Sequence, residues 1–428
     1  MIELTKKIYK RIRENPIQGL PLGDKFISPQ YDGLSILNIP ASAAELLNVE
    51  GFTSPPLLPD LLDPIRGKTK NVILILVDAL AFHRLQKWMA EESDLIWHSL
   101  LKQGILAPIT SISPSTTCSA ITSLWTDSSP ARHGMMGYEM WLKEYGVSAN
   151  MIEHKPITYR GGAGNLTLAG FDPERFLPVE SITDHFSAGG VEVHAYQHFA
   201  IIDSGLSRMF MKDADRHPIG TASDLWISLR EMIETRTHAR KYAWVYWGNL
   251  DSISHLHGPD SERAKAELLT FSKAFEQYFL NQLDPALRKD TLVILTADHG
   301  QITTDKENLD FNLGQHPEFT AKLHLLPTGE NRLAYLHIRP GEKEGVKDYI
   351  QSAWPDQFVL IDPEEAVKTG LFGPGEPHPG IYDRLGDLIA APRGDAYWWW
   401  ASKENPLIGR HGGLSEEEML VPFLAARL

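Results

Sequence analysis

The chain is short of cysteine, with one, Cys118, in 428 residues. A single cysteine permits no internal disulfide, which suits a reducing compartment. No stretch approaches the roughly eighteen consecutive apolar residues of a membrane span. The opening residues, MIELTKKIYKRIRENP, have a helical pattern with basic residues, but not the apolar core of a signal peptide. A soluble, cytoplasmic protein is expected. Positive charge is also scarce, with 41 Lys and Arg against 55 Asp and Glu and a formal net charge of −14. That balance argues against a nucleic-acid polymer or an anionic membrane as partner, because both select a basic surface. It does not exclude a small anionic substrate, since bound metal ions reverse the local sign. Internal repeats and low-complexity tracts are missing too. What remains, 43% hydrophobic and 22% charged residues, is an ordinary globular composition. The length suits one large α/β domain with insertions, or two or three smaller ones.

Residues 1–67 read as an N-terminal extension packed on the core, since 19–66 are rich in proline and leucine with turn signals such as SPPLLPDLLDP. At residue 71 the texture changes. NVILILV is a short run of branched apolar residues, as in a strand buried on both faces. VEVHAY (191–196), AWVYW (243–247) and TLVILTA (291–297) repeat the pattern. Between the last two, Ala264, Leu268, Phe271, Phe275 and Tyr278 recur at intervals of three and four, which marks one buried helical face. Strands alternating with helices predict an α/β fold, a doubly wound, mostly parallel sheet sandwiched by helices. Residues 310–375 read as strand, helix, strand, and predict a small inserted α+β cap between core segments 68–309 and 376–428. The main sheet is expected to resume with GDLIAA (386–391) and MLVPFLAA (419–426).

Ligands of an open parallel sheet bind beyond the carboxyl ends of its strands. The first apolar run ends in Asp78. Asp251 and His255 follow the third, and Asp298 and His299 follow the fourth. His411 stands in a glycine-rich turn before the last run. Carboxylates with imidazoles make a donor set for zinc or manganese rather than magnesium. Taken singly, each residue has a plainer role: an aspartate after a strand caps a helix, and DHG or HGG makes a turn. Six metal-type ligands in four placements, three just past an apolar run and one just before the last, are hard to produce with caps alone.

The order VDAL, SPSTTCSAITSLWTDSSPARHGMMGY, DSISHLHGPDS, TADHG and GRHGGLSEEEMLVP resembles the alkaline phosphatase superfamily, and within it the type I phosphodiesterase/nucleotide pyrophosphatase branch. The similarity spans roughly residues 68–428. It implies an alkaline phosphatase-like fold and two divalent metal ions, zinc with manganese as the alternative. One ion would be held by Asp251, His255 and His411, the other by Asp78, Asp298 and His299. The resemblance also implies Thr117 as catalytic nucleophile, bridging or facing both metals and forming a phosphothreonine intermediate. The substrate would be a small phosphorylated molecule such as a nucleotide.

The residues around Thr117 suit this role. Pro114, Ser115 and Thr116 read as a helix entry with Ser115 or Thr116 as cap, and a helix start offers free N–H groups to phosphate. Thr116 is the second candidate nucleophile. Cys118 is a third, but CSAIT lacks the serine and arginine of the sulfatase maturation pattern. One departure stands out: Ala120 occupies the position where the branch usually has a phosphate-holding asparagine. Arg132, Asn249 and Lys102 are polar groups that could replace it. This opens the alternatives of a phosphomonoesterase or phosphonate hydrolase, with a phosphomutase or a non-catalytic metal-binding relative ranked lower. His133 reads as structural and His257 as a residue behind the ligands. Packing is the expected role of the Trp398–Trp400 cluster, while His316 and His324 have no assigned role.

Overall fold

The computed structural model describes residues 2–157, 161–235 and 238–428. Its central sheet has seven strands. In chain order they are β1 (Asn71–Val77), β2 (Gly104–Thr110), β3 (Val191–His198), β4 (Asp215–Ile219), β5 (Arg240–Trp247), β6 (Thr291–Thr296) and β7 (Leu420–Arg427). Their spatial order is β2-β7-β6-β1-β5-β3-β4. β1 pairs parallel with β5 and β6, and β3 pairs parallel with β4 and β5. Only β7 runs antiparallel, to both β2 and β6. β1 and β6 are buried along their whole length, which is why their sequences are continuous apolar runs rather than alternating ones.

This topology sets up the site. The carboxyl ends of β1, β2, β5 and β6 lie at one edge of the sheet. Because β7 is reversed, its first residue Leu420 pairs with Thr110 at that same edge. The turn before β7 is therefore delivered to the place where the other strands end.

The N-terminal segment packs on this body. Ile8, Ile12, Leu34, Ile36 and Ile39 are buried in the main core, and the Tyr31 hydroxyl donates to the Leu371 carbonyl at 2.9 Å.

A second sheet, antiparallel throughout, also has seven strands. It draws on 139–156 and 388–392 as well as on 328–361. A boundary drawn around 310–375 cuts through it. GDLIAA differs from expectation: its strand Leu388–Pro392 lies in this second sheet, between Leu333–Leu336 and Phe358–Ile361. Its side chains alternate between two cores, Ile389 and Ala391 in the main one, Leu388 and Ala390 in a smaller one. Burial on both faces yields an unbroken apolar run in antiparallel strands too, and periodicity cannot separate the two cases. Trp398 sits in the smaller core, stacked on Phe358 at 4.2 Å and tilted against Trp354 at 5.1 Å.

The two bodies are locked by a fully buried ion pair. Arg332 Nε and Nη2 donate to the two Glu418 oxygens at 3.1 and 2.8 Å, and Glu418 Oε1 also accepts from Gly413 N at 2.9 Å. The pair thereby holds the turn that carries His411. Gly412 has φ +111°, and a Cβ there would stand 2.4 Å from Glu330 Cβ, so only glycine fits. Substituting Arg332→Met strands a buried carboxylate. Urea denaturation is expected to show a loss of about 3–5 kcal/mol, and an unchanged midpoint would contradict this account of the turn.

Candidate active site

Thr117 opens a ten-residue helix, Thr117–Thr126, that follows β2. Thr116 is the N-cap residue by backbone (φ −141°, ψ 148°), but makes no capping hydrogen bond to the helix. Its Oγ1 donates to Glu330 Oε1 at 2.6 Å. Ser115 Oγ donates to the Gly413 carbonyl at 2.7 Å. The expected side-chain cap is thus missing, because second-sheet and turn acceptors take both hydroxyls. The helix start keeps its orphan N–H groups and its positive dipole end for another acceptor. Thr117 Oγ1 lies 3.1 Å from His299 Nε2. Cys118 points away into the core, its thiol pushed well up by burial.

The six expected ligands surround this hydroxyl at the sheet edge. Asp78, Asp298 and His299 bring one ligand atom each within 4.8 Å of one another, and so do Asp251, His299 and His411. His299 therefore stands between the two groups. His255, which the resemblance pairs with Asp251 and His411, falls outside the second group as a triad, yet its Nε2 is 3.3 Å from Asp251 Oδ1.

The three imidazoles are held alike. His255 Nδ1 faces the Gly409 carbonyl at 2.8 Å, His299 Nδ1 the Gly300 carbonyl at 3.0 Å, and His411 Nδ1 the Ser115 carbonyl at 3.2 Å. A carbonyl can only accept, so each Nδ1 donates, and in the neutral ring the lone pair is then on Nε2. Those Nε2 atoms face carboxylates: His299 is 3.4 Å from Asp78 Oδ1 and 3.5 Å from Asp298 Oδ2, and His411 is 3.9 Å from Asp251 Oδ1.

Both Asp78 Oδ1 and Asp298 Oδ2 are buried without a hydrogen-bond partner. Each carboxylate's other oxygen is engaged. Asp78 Oδ2 accepts from the Tyr246 hydroxyl, and Asp298 Oδ1 from the Ala79 and His299 amides at 3.3 and 3.0 Å. Burial, then the Asp298 and Asp251 charges, push the Asp78 carboxyl well up. Burial, then His299 and His255, push His411 well down. Unpartnered carboxylate oxygens facing imidazole lone pairs fit divalent cations.

Three residues here were not anticipated from sequence. Tyr246 and Gln301 hydrogen-bond Asp78 and Asp251, and Glu330 approaches through the second sheet. Of the donors proposed to replace asparagine at Ala120, only Asn249 lines a cavity with Thr117. Arg132 Nη1 contacts Thr53 Oγ1. Lys102 precedes β2, at the opposite edge of the sheet. His133 is buried against Ser123 Oγ and the Met135 amide, both at 3.0 Å. His257 is exposed beside Arg263, and His316 bonds the Tyr349 hydroxyl and the Asp310 carbonyl beside the smaller core.

Two cavities open on Thr117. One, of about 390 Å³, is bordered by Thr117, Tyr138, Glu330, Trp400 and His411. The other, of about 330 Å³, is bordered by Thr117, Asp78, Phe210, Met211 and Asn249. Thr117, Ile152 and Asp251 line both. The tryptophan run is split between roles: Trp398 fills the smaller core, whereas Trp400 lines the larger cavity with its indole N–H on Glu139 Oε2 at 2.8 Å.

The profile of the type I phosphodiesterase / nucleotide pyrophosphatase family matches residues 72–414. Murine ectonucleotide pyrophosphatase / phosphodiesterase 5 superposes with a TM-score of 0.62 at 16% identity, covering 84% of this chain and 88% of that one. An inactive threonine-to-alanine variant of the murine protein, in complex with AMP, gives 0.61 at 16% identity, covering 84% and 88%. Phosphonoacetate hydrolase from Sinorhizobium meliloti 1021, in complex with phosphonoacetate, gives 0.60 at 17%, covering 84% and 90%. No curated protein matches the chain by sequence. Tyr246→Phe removes the donor that orients Asp78. It is expected to lower metal affinity or activity by about 10- to 100-fold, read by chelator competition, and unchanged affinity and activity would remove Tyr246 from the site.

Proposed function

The chain belongs to the type I phosphodiesterase/nucleotide pyrophosphatase family and so to the phosphoester hydrolases, and we propose that it cleaves a phosphodiester or nucleotide pyrophosphate through Thr117 at a two-metal centre. Asp251, His255 and His411 would hold one ion, and Asp78, Asp298 and His299 the other, zinc being the expected metal and manganese the alternative. When bound, such ions lower the pKa of a coordinated hydroxyl and neutralise charge developing on phosphoryl oxygens. The residues supply the rest. Thr117 would lose its hydroxyl proton to solvent and its Oγ1 attack phosphorus in line; the new bond forms as the bond to the leaving oxygen breaks, that oxygen taking up a proton from solvent, and the helix start offers N–H groups to the phosphoryl oxygens. Hydrolysis of the phosphothreonine by water completes the turnover.

The observation that carries the diester reading is the pair of cavities meeting at Thr117 and Asp251. Phosphorus in a monoester bears one organic arm, and in a diester two. A nucleophile bordered by two separate cavities has room for both. A different phosphate donor would then replace the asparagine missing at Ala120; Asn249 lines the smaller cavity and is the candidate, though its Nδ2 donates to Glu267 Oε1 at 3.2 Å. The complexes of similar structures with AMP and with phosphonoacetate support a small phosphorus-bearing substrate.

The test is hydrolysis of bis(p-nitrophenyl) phosphate against p-nitrophenyl phosphate, with zinc and after chelation. Zinc-dependent turnover favouring the diester is expected. Preference for the monoester would make the protein a phosphatase. Thr117→Ala is expected to lower kcat by on the order of a thousandfold or more, the scale of losing an acting nucleophile, while both ions still bind. Substantial turnover in that variant would rule out the covalent route.

A further inference from the structure

Gln301 follows the DHG turn and is fully buried. Its Nε2 donates to Asp251 Oδ1 and, at 3.3 Å, to the Asp251 carbonyl. The oxygen it holds is the one that faces His255 Nε2 at 3.3 Å and His411 Nε2 at 3.9 Å. Gln301 is itself anchored through its main chain. Arg84 Nη1 donates to the Gln301 carbonyl at 2.6 Å, and Arg84 Nη2 reaches Asp260 at 3.2 Å. Arg84 is 3% exposed, so its link to Gln301 is buried, while Asp260 stands at the surface. It joins the segment after β1, the GPD turn and the DHG turn to one ligand carboxylate.

The opposite side of the carboxamide is equally constrained. A Cβ on Gly409 would stand 2.1 Å from Gln301 Oε1 and 2.4 Å from the Ser254 carbonyl, so glycine is needed there for room. The Gly409 carbonyl, in turn, accepts from His255 Nδ1. Gln301 thus lies wedged between the backbone that aims His255 and the carboxylate of Asp251. Asp78 has a separate outer partner, the Tyr246 hydroxyl on the neighbouring strand β5.

We infer that Gln301 is a positioning residue for one ion position only: its carboxamide fixes the oxygen that Asp251 presents and so sets the affinity of the Asp251 position independently of the Asp78 position. The inference rests on the two-metal reading. A ligand carboxylate free to rotate loses its fixed geometry, whereas one held by an outer hydrogen bond is preorganised. The Asp78 position keeps its own outer partner and should not respond.

The test separates donation from space filling. Gln301→Met fills a similar volume but donates nothing, and Gln301→Ala removes both. Zinc affinities of the full-length protein are measured by competition with a chromophoric chelator, and melting temperatures are taken on the zinc-free proteins. Both variants are expected to bind one of two zinc ions about 10- to 100-fold more weakly and the other within about twofold of wild type, the usual scale for outer-sphere partners. The methionine variant should keep the wild-type melting temperature when zinc-free. Turnover lost at limiting zinc should return with excess zinc. Two unchanged affinities in Gln301→Met, or two that fall together with a lowered zinc-free melting temperature, overturn the inference and leave the two-metal reading intact. Wild-type protein that takes up no zinc overturns both.

Discussion

Three carboxylates and three imidazoles crowd one sheet edge, and the arrangement is governed by how their charge is balanced. Like charges a few ångströms apart repel strongly once water is removed. Among the described residues no lysine or arginine pairs with Asp78, Asp251 or Asp298; their only ion-pair neighbours are histidines. The carbonyls behind those histidines favour the neutral tautomer with its lone pair inward. The protein thus supplies ligands and withholds a fixed counter-charge, which is the physical ground for reading the site as one built around cations. Much of the surrounding structure serves that end: the reversed β7, the buried Arg332–Glu418 pair and the glycines that let backbone approach closely.

The parts of this plan that were legible in the sequence are those carried by local pattern. β1, β3, β5 and β6 were visible as apolar runs because both their faces are buried, and the candidate ligands stood out because Asp78, Asp251, His255, Asp298 and His299 follow such runs and His411 precedes the last one. The strand 388–392 looked the same for the same reason, and its assignment to the second sheet depends on partners far away in sequence. The capping role expected of Ser115 and Thr116 failed because Gly413 and Glu330 compete for their hydroxyls. Tyr246 and Gln301 gain meaning only from the carboxylates they touch. A glutamine after DHG or a tyrosine late in a strand carries no signal of its own.

The second sheet shapes the larger cavity beside Thr117. Glu330, Tyr138 and Trp400 come from it or pack on it, and together with Arg410 and His411 they shape the larger cavity. The smaller cavity is built from the segment after β3 and the start of the helix after β5. The common ligand set can therefore persist while substrate preference changes, since the two walls belong to different parts of the chain.

The position of β7 has a consequence for how the molecule is assembled. It is the last strand of the sheet in chain order, yet it occupies an interior place, hydrogen-bonded to β2 on one side and β6 on the other. Until it is made, both neighbours expose an unpaired apolar edge, the kind of surface on which nascent chains aggregate. Insertion of β7 seals the two edges and, in the same movement, brings the preceding turn with His411 to the rest of the cluster. The pairing that closes the sheet is thus also the pairing that carries His411 to the other five residues.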